Sequence, residues 1–110
     1  MQRQKLKFGW IGFHSEGYEA LETLLADGVE FKIVVTLKPE QMAKKSSGIS
    51  LHKLCELYNT PIVEIIDIND DNSYQLLKDL ALDIVFVIGW SQILSPRILN
   101  SASIGMIGAH

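Results

Sequence analysis

Hydrophobic and polar positions along the chain follow two periods, one typical of strands and one typical of helices. Five apolar runs, several of them rich in β-branched or aromatic residues, have the length of buried strands: 5–13, 30–37, 61–65, 83–89 and 103–110. Three segments have large apolar side chains at a spacing of three and four residues: 14–28, 50–58 and 74–82. Strands and helices therefore alternate, which predicts right-handed βαβ units and an open parallel α/β sheet of about five strands with helices on both faces.

Local signals predict where the helices begin and end. Ser15 is the expected N-cap of the first helix and Gly28 its C-cap. The second helix should be capped by Ser50 and end before Pro61. Its buried face is predicted to comprise Leu51, Leu54, Cys55 and Tyr58. The main stripe of the third helix is predicted to comprise Tyr74, Leu77 and Ala81. The polar, lysine-rich segment 38–48 is predicted to be a loop.

Composition narrows the class of protein. With 110 residues, 47% of them hydrophobic, the chain is expected to form one domain over residues 1–110. Its net charge of −3 argues against a free-standing nucleic-acid binder. Cys55 is the single cysteine and is expected to be a small buried residue rather than a reactive thiol. No apolar run approaches the ~18 residues that a membrane span needs, so we expect a cytoplasmic protein with no membrane partner.

Candidate chemistry follows the predicted strands, because ligands of open parallel sheets bind beyond the carboxyl ends of the strands. His14 and Ser15 lie where the first strand gives way to a helix, and free backbone N–H groups there favour a phosphate or carboxylate. The alternative is an ordinary capped helix start. Gly9, Gly12 and Gly17 do not have the spacing of a dinucleotide-binding fingerprint.

The loop after the fourth apolar run combines apolar walls with backbone polar groups, as a flat heteroaromatic ligand requires. Its residues are Gly89, Trp90, Ser91, Gln92, Ile93 and Leu94. The alternative is a tight turn around a core tryptophan. His110 ends the last predicted strand, where an imidazole is suited to proton transfer or to polarising a carbonyl; the alternative is a structural histidine.

The closing segment "LDIVFVIGWSQILSPRILNSASIGMIGAH" resembles the folate-dependent formyltransferases, which include methionyl-tRNA, glycinamide ribonucleotide and sugar-nucleotide N-formyltransferases. The segments "KFGWIGFHSEGYEALETLLADG" and "KPEQMAKKSSGISLHKLCELYNTPIVEI" resemble the same proteins, so the likeness covers nearly the whole chain. It implies a Rossmann-like sheet and transfer of a formyl group from 10-formyltetrahydrofolate to an amine. It also implies that the loop 89–94 holds the pterin ring, largely through backbone groups.

The resemblance implies roles for further residues, and the sequence departs from the family's pattern at one of them. His110 matches the family's catalytic histidine, whereas Gly108 stands where an asparagine is usual. The family's Ser-Leu-Leu-Pro-like run and its aspartate would follow His110, so the chain is interpreted as the amino-terminal, cofactor-binding part of such an enzyme, inactive or nearly so by itself. His14 and Ser15 would contact the acceptor. The phosphates of the acceptor would bind Lys38, Lys44 and Lys45. The alternative is that these lysines belong to a solvated loop with no ligand.

Several alternatives stay open at this point. The acceptor would be a small-molecule amine, a nucleotide-linked amino sugar or an aminoacyl-tRNA. A related activity is hydrolysis of formyltetrahydrofolate, and a different class is a non-catalytic, flavodoxin-like ligand-sensing or interaction domain. A receiver-type phosphoacceptor is disfavoured, because the first strand runs into "GFHSEG" without an acidic pair. We expect the last strand to be an exposed edge, and pairing of two such edges in a homodimer is a hypothesis.

Overall fold

The computed structural model describes residues 6–13, 15–42 and 50–109, and within them five strands form one sheet. The strands are β1 (Phe8–Ile11), β2 (Phe31–Leu37), β3 (Ile62–Ile65), β4 (Ile84–Ile88) and β5 (Gly105–Ala109). Every neighbouring pair is parallel, and the spatial order is β3-β2-β1-β4-β5. The predicted Rossmann-like parallel sheet is therefore confirmed, and its strand order reverses between β1 and β4.

Five helices connect or follow these strands in the described part of the chain. They are α1 (Ser15–Ala26), α2 (Pro39–Met42), α3 (His52–Leu57), α4 (Asp71–Leu80) and α5 (Pro96–Leu99). The end of α1 is as predicted: Gly28 has a φ of 92°, and the N–H groups of Gly28 and Val29 donate to the carbonyls of Leu25 and Leu24 at 3.1 and 3.0 Å. Its start differs by one position, because Ser15 is itself the first helical residue.

The second predicted helix begins and ends close to where its sequence signals lie. It starts at His52 with Leu51 as the N-cap residue, and the hydroxyl of Ser50 accepts from the His52 N–H at 3.4 Å. Leu51, Leu54 and Cys55 are buried as predicted. Tyr58 is 37% exposed, so its predicted place on the buried face is wrong; the helix ends at Leu57, one residue earlier.

The start of α4 is earlier than the apolar pattern predicts. The Asp70 carboxylate accepts from the Ser73 N–H at 2.7 Å, and this cap lets the helix begin at Asp71, three residues before the predicted segment 74–82. Ala81 does not join the stripe of Tyr74 and Leu77, because it lies beyond the helix end with a φ of 51° and is exposed. A polar side-chain cap thus sets the start of α4, and a residue in the left-handed conformation sets its end.

The predicted loop 38–48 begins with a helical turn rather than irregular backbone. Pro39 opens α2, where its fixed φ suits the first helical position and its missing N–H costs nothing. The Gln41 N–H donates to the Lys38 carbonyl at 2.9 Å. The segment 43–49 lies outside the described residues.

Two apolar clusters cover the two faces of the sheet. The cluster under α1 and α3 comprises Trp10, Leu21, Leu25, Phe31, Val34, Leu51, Leu54 and Cys55. The cluster under α4 and α5 includes Ile11, Ile33, Val35, Ile68, Leu77, Val85 and Ile98. Alternate residues of β4 pack on the two clusters, so both faces of this strand are covered as its continuous apolar sequence predicts.

Candidate functional site

The carboxyl ends of β1 and β4 approach each other closely at the point where strand order reverses. A Cβ atom on Gly12 would overlap the Ile88 carbonyl oxygen, and one on Gly17 would lie 2.9 Å from it. The Phe13 N–H donates to the Gly89 carbonyl at 3.2 Å. The glycines at 12 and 17 therefore allow the start of α1 to pack on the end of β4, a packing role that their spacing alone does not reveal.

The loop after β4 forms the wall of a cleft of about 460 Å³. The cleft is lined by Val87, Trp90, Ser91, Gln92, Ile93, Leu94, Leu99, Met106 and Gly108. Five of the six loop residues singled out from the sequence thus surround one space. The sixth, Gly89, has a φ of 65° and turns the chain from β4 into this wall.

The cleft has the size and lining of a small-molecule site. Its volume lies within the roughly 300–1,000 Å³ typical of ligand pockets. Val87 and Met106 are packed on the core cluster of the sheet, so the floor is apolar and supported from beneath. Ile93 is 88% exposed at the rim. The cleft thus combines an apolar floor with exposed loop backbone.

Trp90 serves both interpretations that the sequence left open. Its ring meets the buried ring of Phe13 edge to face, with centroids 5.5 Å apart, and it packs on the core cluster. It also lines the cleft. Its Nε1 atom is buried and has no hydrogen-bond partner among the described residues, which leaves a donor available at this end of the sheet.

Gln92 directs its side chain into the protein rather than toward solvent. Its Nε2 donates to the Ile66 carbonyl at 2.7 Å, and its Oε1 accepts from the Ile68 N–H at 2.8 Å. The carboxamide is therefore committed to the segment after β3. What Gln92 offers to the cleft is its aliphatic stem and its backbone.

Asn69 is a residue that sequence reasoning missed. Its Nδ2 donates to the Ile93 carbonyl at 2.6 Å, and its Oδ1 accepts from the Ser95 N–H at 2.8 Å. The sequence indicated only that "DINDDNS" is rich in turn-forming residues. No local signal links position 69 to a loop more than 20 residues further along the chain.

Of the residues expected to contact the acceptor, Ser15 is exposed at the start of α1 and His14 lies outside the described residues. Lys38 is exposed and borders a second cleft of about 420 Å³, whose lining includes the carboxylate residues Glu64 and Asp70. Their negative charge opposes a phosphate beside Lys38. Lys44 and Lys45 lie in the segment that the structure does not describe.

The predicted catalytic histidine, His110, also lies outside the described residues. Gly108, two positions before it, lies on the exposed edge strand and borders the cleft. A Cβ atom there would meet the Val87 carbonyl oxygen at 3.4 Å, an ordinary contact distance. A Cβ atom at position 108 is therefore sterically allowed.

The described residues also bear on whether the chain holds a reactive cysteine, a metal site or a membrane-spanning helix. Cys55 is fully buried, and burial raises the pKa of its thiol to about 11, as expected for a structural cysteine. No group of three or more metal-ligating side chains occurs in the ranges that the structure describes. None of the helices in those ranges has the length and hydropathy to cross a membrane.

A larger cleft of about 560 Å³ lies at the opposite, amino end of the sheet. It is lined by Leu6, Lys7, Phe8, Gly28, Val29, Glu30 and Lys32. Because ligands of parallel sheets bind at the carboxyl ends of the strands, the smaller cleft beside Trp90 is the better candidate site.

Comparison with curated proteins finds relatives of low identity. The chain is 25% identical over 107 residues to the methionyl-tRNA formyltransferase of Blochmanniella pennsylvanica, an alignment that covers 97% of this chain and 33% of the relative. It is 23% identical over 107 residues to the methionyl-tRNA formyltransferase of Thermotoga sp. strain RQ2, covering 96% and 34%. The chain thus spans about a third of the length of these relatives. No protein-family model matches.

Comparison with solved structures finds the same architecture. The phosphoribosylglycinamide formyltransferase of Anaplasma phagocytophilum superposes with a TM-score of 0.68 at 17% identity, covering 97% of this chain and 50% of that one. Glycinamide ribonucleotide transformylase 1 of Symbiobacterium toebii gives a TM-score of 0.67 at 11% identity, covering 97% and 52%. At such identities these two structures establish the fold alone.

Proposed function

We propose, from the confirmed resemblance of this chain to formyltransferases, that residues 1–110 form the cofactor-binding part of an enzyme that transfers a formyl group from 10-formyltetrahydrofolate to an amine. The observation that carries this proposal is the cleft of about 460 Å³ lined by the loop after β4, at the carboxyl edge of the sheet. Its lining includes 90–94, five of the six residues that the sequence likeness assigns to the pterin ring.

The pterin would lie on the apolar floor formed by Val87 and Met106, with the 90–94 backbone along its polar edge. Bound there, the folate supplies an activated formyl group. The chain contributes orientation, because a ring held in one plane directs the formyl group toward one side of the cleft. It also contributes partial exclusion of water, through the rings of Trp90 and Phe13.

His110 is proposed to polarise the formyl oxygen or to move a proton at the reacting amine. Gly108 lines the cleft and has no side-chain amide, so that donor must come from a backbone N–H, from protonated His110 or from ordered water. His14 and Ser15 are proposed to contact the acceptor, and Lys38, Lys44 and Lys45 are proposed to contact its phosphates. The carboxylates of Glu64 and Asp70 reduce the share of Lys38 in that contact. By itself the 110-residue chain is expected to bind folate but to be inactive or nearly so.

Calorimetric titration of 5-formyltetrahydrofolate, a stable folate, into the 110-residue chain tests the cleft. Trp90→Ala should weaken binding, because it removes an apolar wall, whereas Leu57→Ala changes a residue that is 75% exposed on α3 and should bind as the wild type does. Absence of binding heat with the wild-type chain would contradict the proposal.

The role of His110 is tested in the complete gene product by the substitution His110→Asn. If the imidazole polarises the formyl group or moves a proton, kcat/KM for formyl transfer should fall by about 10²-fold or more. The products separate two chemistries, since transfer gives a formylated amine and hydrolysis gives free formate. An unchanged kcat/KM would remove His110 from the mechanism.

A non-catalytic ligand-binding domain is the second candidate, and Gly108 favours it because a main oxyanion donor of the family is missing at that position. Under this alternative the complete gene product binds folate tightly. It neither transfers the formyl group to an amine nor hydrolyses formyltetrahydrofolate. Turnover with any amine would exclude it.

A homodimer through β5 is proposed from the state of that strand. It pairs only with β4 among the described strands, and Ile104 and Ile107 beside its free edge are 64% and 53% exposed. Sedimentation should show a concentration-dependent dimer that Ile107→Lys weakens. A monomer at high concentration would contradict this assembly.

A further inference from the structure

The cleft wall depends on side chains rather than on backbone pairing for its shape. Among the described residues, no backbone–backbone hydrogen bond involves positions 90–94. The wall lies between Gly89, whose carbonyl accepts from Phe13, and Ser95, which opens α5. Its conformation between those two points must be fixed by something else.

Two carboxamides supply the missing connections, and they do so reciprocally. Gln92 leaves the wall to bind the backbone at Ile66 and Ile68, while Asn69 leaves the segment after β3 to bind the backbone at Ile93 and Ser95. The four distances lie between 2.6 and 2.8 Å. Each carboxamide uses one donor and one acceptor, so the contact fixes both position and orientation.

The segment that holds the wall is itself firmly anchored. Ile68 is fully buried in the core cluster under α4 and α5. Arg97 donates to the Asn69 carbonyl at 3.1 Å and to the Asp71 carboxylate at 2.6 Å, which ties the same segment to α5. The hydrogen bonds of Asn69 and Gln92 thus connect the wall to a segment that is fixed in the core of the sheet.

We propose that Asn69 and Gln92 are positioning residues, which set the geometry of the 90–94 backbone so that it matches the polar edge of a bound pterin. This inference rests on the proposed function of the cleft. It adds Asn69, which does not line the cleft, and gives the Gln92 carboxamide a role separate from the ligand contact of its backbone. Neither carboxamide needs to touch the ligand. Their effect passes through the backbone groups at Ile93 and at neighbouring positions.

Amide hydrogen exchange in the free chain tests the connection directly. Asn69→Ala should expose the Ser95 N–H to exchange, and Gln92→Ala should do so for the Ile68 N–H. Asn69→Asp retains an acceptor for Ser95 and loses the donor to Ile93, so it should keep the Ser95 N–H protected. Equal exchange of Ser95 in the wild type and in Asn69→Ala would overturn the inference.

Affinity for 5-formyltetrahydrofolate tests positioning as distinct from stability. At a temperature where all variants are folded, Asn69→Ala should bind about tenfold more weakly, the equivalent of one to two lost hydrogen bonds. Asn69→Asp should recover part of the loss. The double variant Asn69→Ala, Gln92→Ala should lose less than the sum of the single losses, because both hold one wall.

Gln75→Ala is the matched control, since the Gln75 Nε2 donates to the Asp79 carboxylate at 2.7 Å on the exposed side of α4 and Gln75 does not line the cleft. It should bind folate as the wild type does. If the wild type binds and Asn69→Ala binds equally well, the positioning role is excluded while the folate site stands. If the wild type binds no folate, the proposed function fails, and amide exchange still decides whether the carboxamides hold the wall.

Discussion

The amino and carboxyl ends of the sheet are both joined by polar side chains, but the chemistry of the two joints differs. At the amino end the Asp83 carboxylate accepts from the Lys7 N–H at 2.8 Å and from the Ser103 hydroxyl at 2.6 Å, which links the starts of β1, β4 and β5. At the carboxyl end the joint consists of the neutral carboxamides of Asn69 and Gln92. The hydrogen bonds of a carboxylate depend on pH and those of a carboxamide do not. The contacts at the two ends should therefore be lost under different conditions.

The largest effect is expected from the core at the amino end. Leu82 is fully buried, and its Cδ1 lies 2.7 Å from where a Cβ atom on Gly9 would be. Leu82→Ala should lower the free energy of unfolding by about 2–5 kcal/mol, measured by urea denaturation. Folate affinity of the folded variant should not change, because the cleft is at the other end. A large loss of affinity would show that the two ends are coupled.

At the carboxyl end, Gly108→Asn should act on activity rather than on stability. In the complete gene product the new amide would supply the donor that the resemblance leads one to expect, and kcat/KM should rise by about 10²-fold. The Cβ atom of the new residue would lie at an ordinary contact distance of 3.4 Å from the Val87 carbonyl oxygen. An unchanged kcat/KM would mean that another group already stabilises the reacting oxygen.

A smaller effect on stability is expected where β1 meets β4. Gly12→Ala would drive a methyl group into the Ile88 carbonyl and should cost about 1–3 kcal/mol of unfolding free energy. Gly108→Ala is the matched control, with its Cβ at ordinary contact distance, and should change stability by no more than about 0.5 kcal/mol. Equal losses for the two variants would show that the close approach at Gly12 is relieved at little cost.

The smallest effect is a dependence of stability on acid pH. The Ser103 hydroxyl and the Lys7 N–H hold the pKa of Asp83 below its ordinary value of 3.8. Because the folded-state pKa is the lower one, its contribution is complete above the ordinary value and is lost as the pH falls through the folded-state pKa. Urea unfolding from pH 6 to pH 3 should show a shallower acid loss for Asp83→Asn and for Ser103→Ala. An unchanged slope would exclude this joint as its source.

The spacing of apolar residues predicted the strands and the longer helices, because the strand and helix periods are set by residues close together in the sequence. The apolar run ending at Ile88 and the glycine at position 28 carry their own structural signals. Prediction failed at the two ends of α4, where a polar cap and a left-handed residue override the apolar period. Asp70 starts α4 before Tyr74, and Ala81 leaves the helix in a left-handed conformation.

The candidate site was predictable to the extent that it is one continuous loop. Trp90 to Leu94 are adjacent in sequence, so their common location needs no knowledge of the fold. The contribution of Asn69 depends on how the segment after β3 crosses the carboxyl ends of the strands to reach β4. That crossing follows from the strand order β3-β2-β1-β4, which the alternation of elements does not specify.

The contrasting environments of the two tryptophans have an optical consequence. Trp10 is fully buried among the rings of Phe31 and Phe86, with centroids 5.9 and 6.3 Å away, while Trp90 lies half-buried at the cleft. Occupancy of the cleft is therefore expected to change the environment of Trp90 more than that of Trp10. Tryptophan fluorescence thus offers a way to follow occupancy without an extrinsic dye.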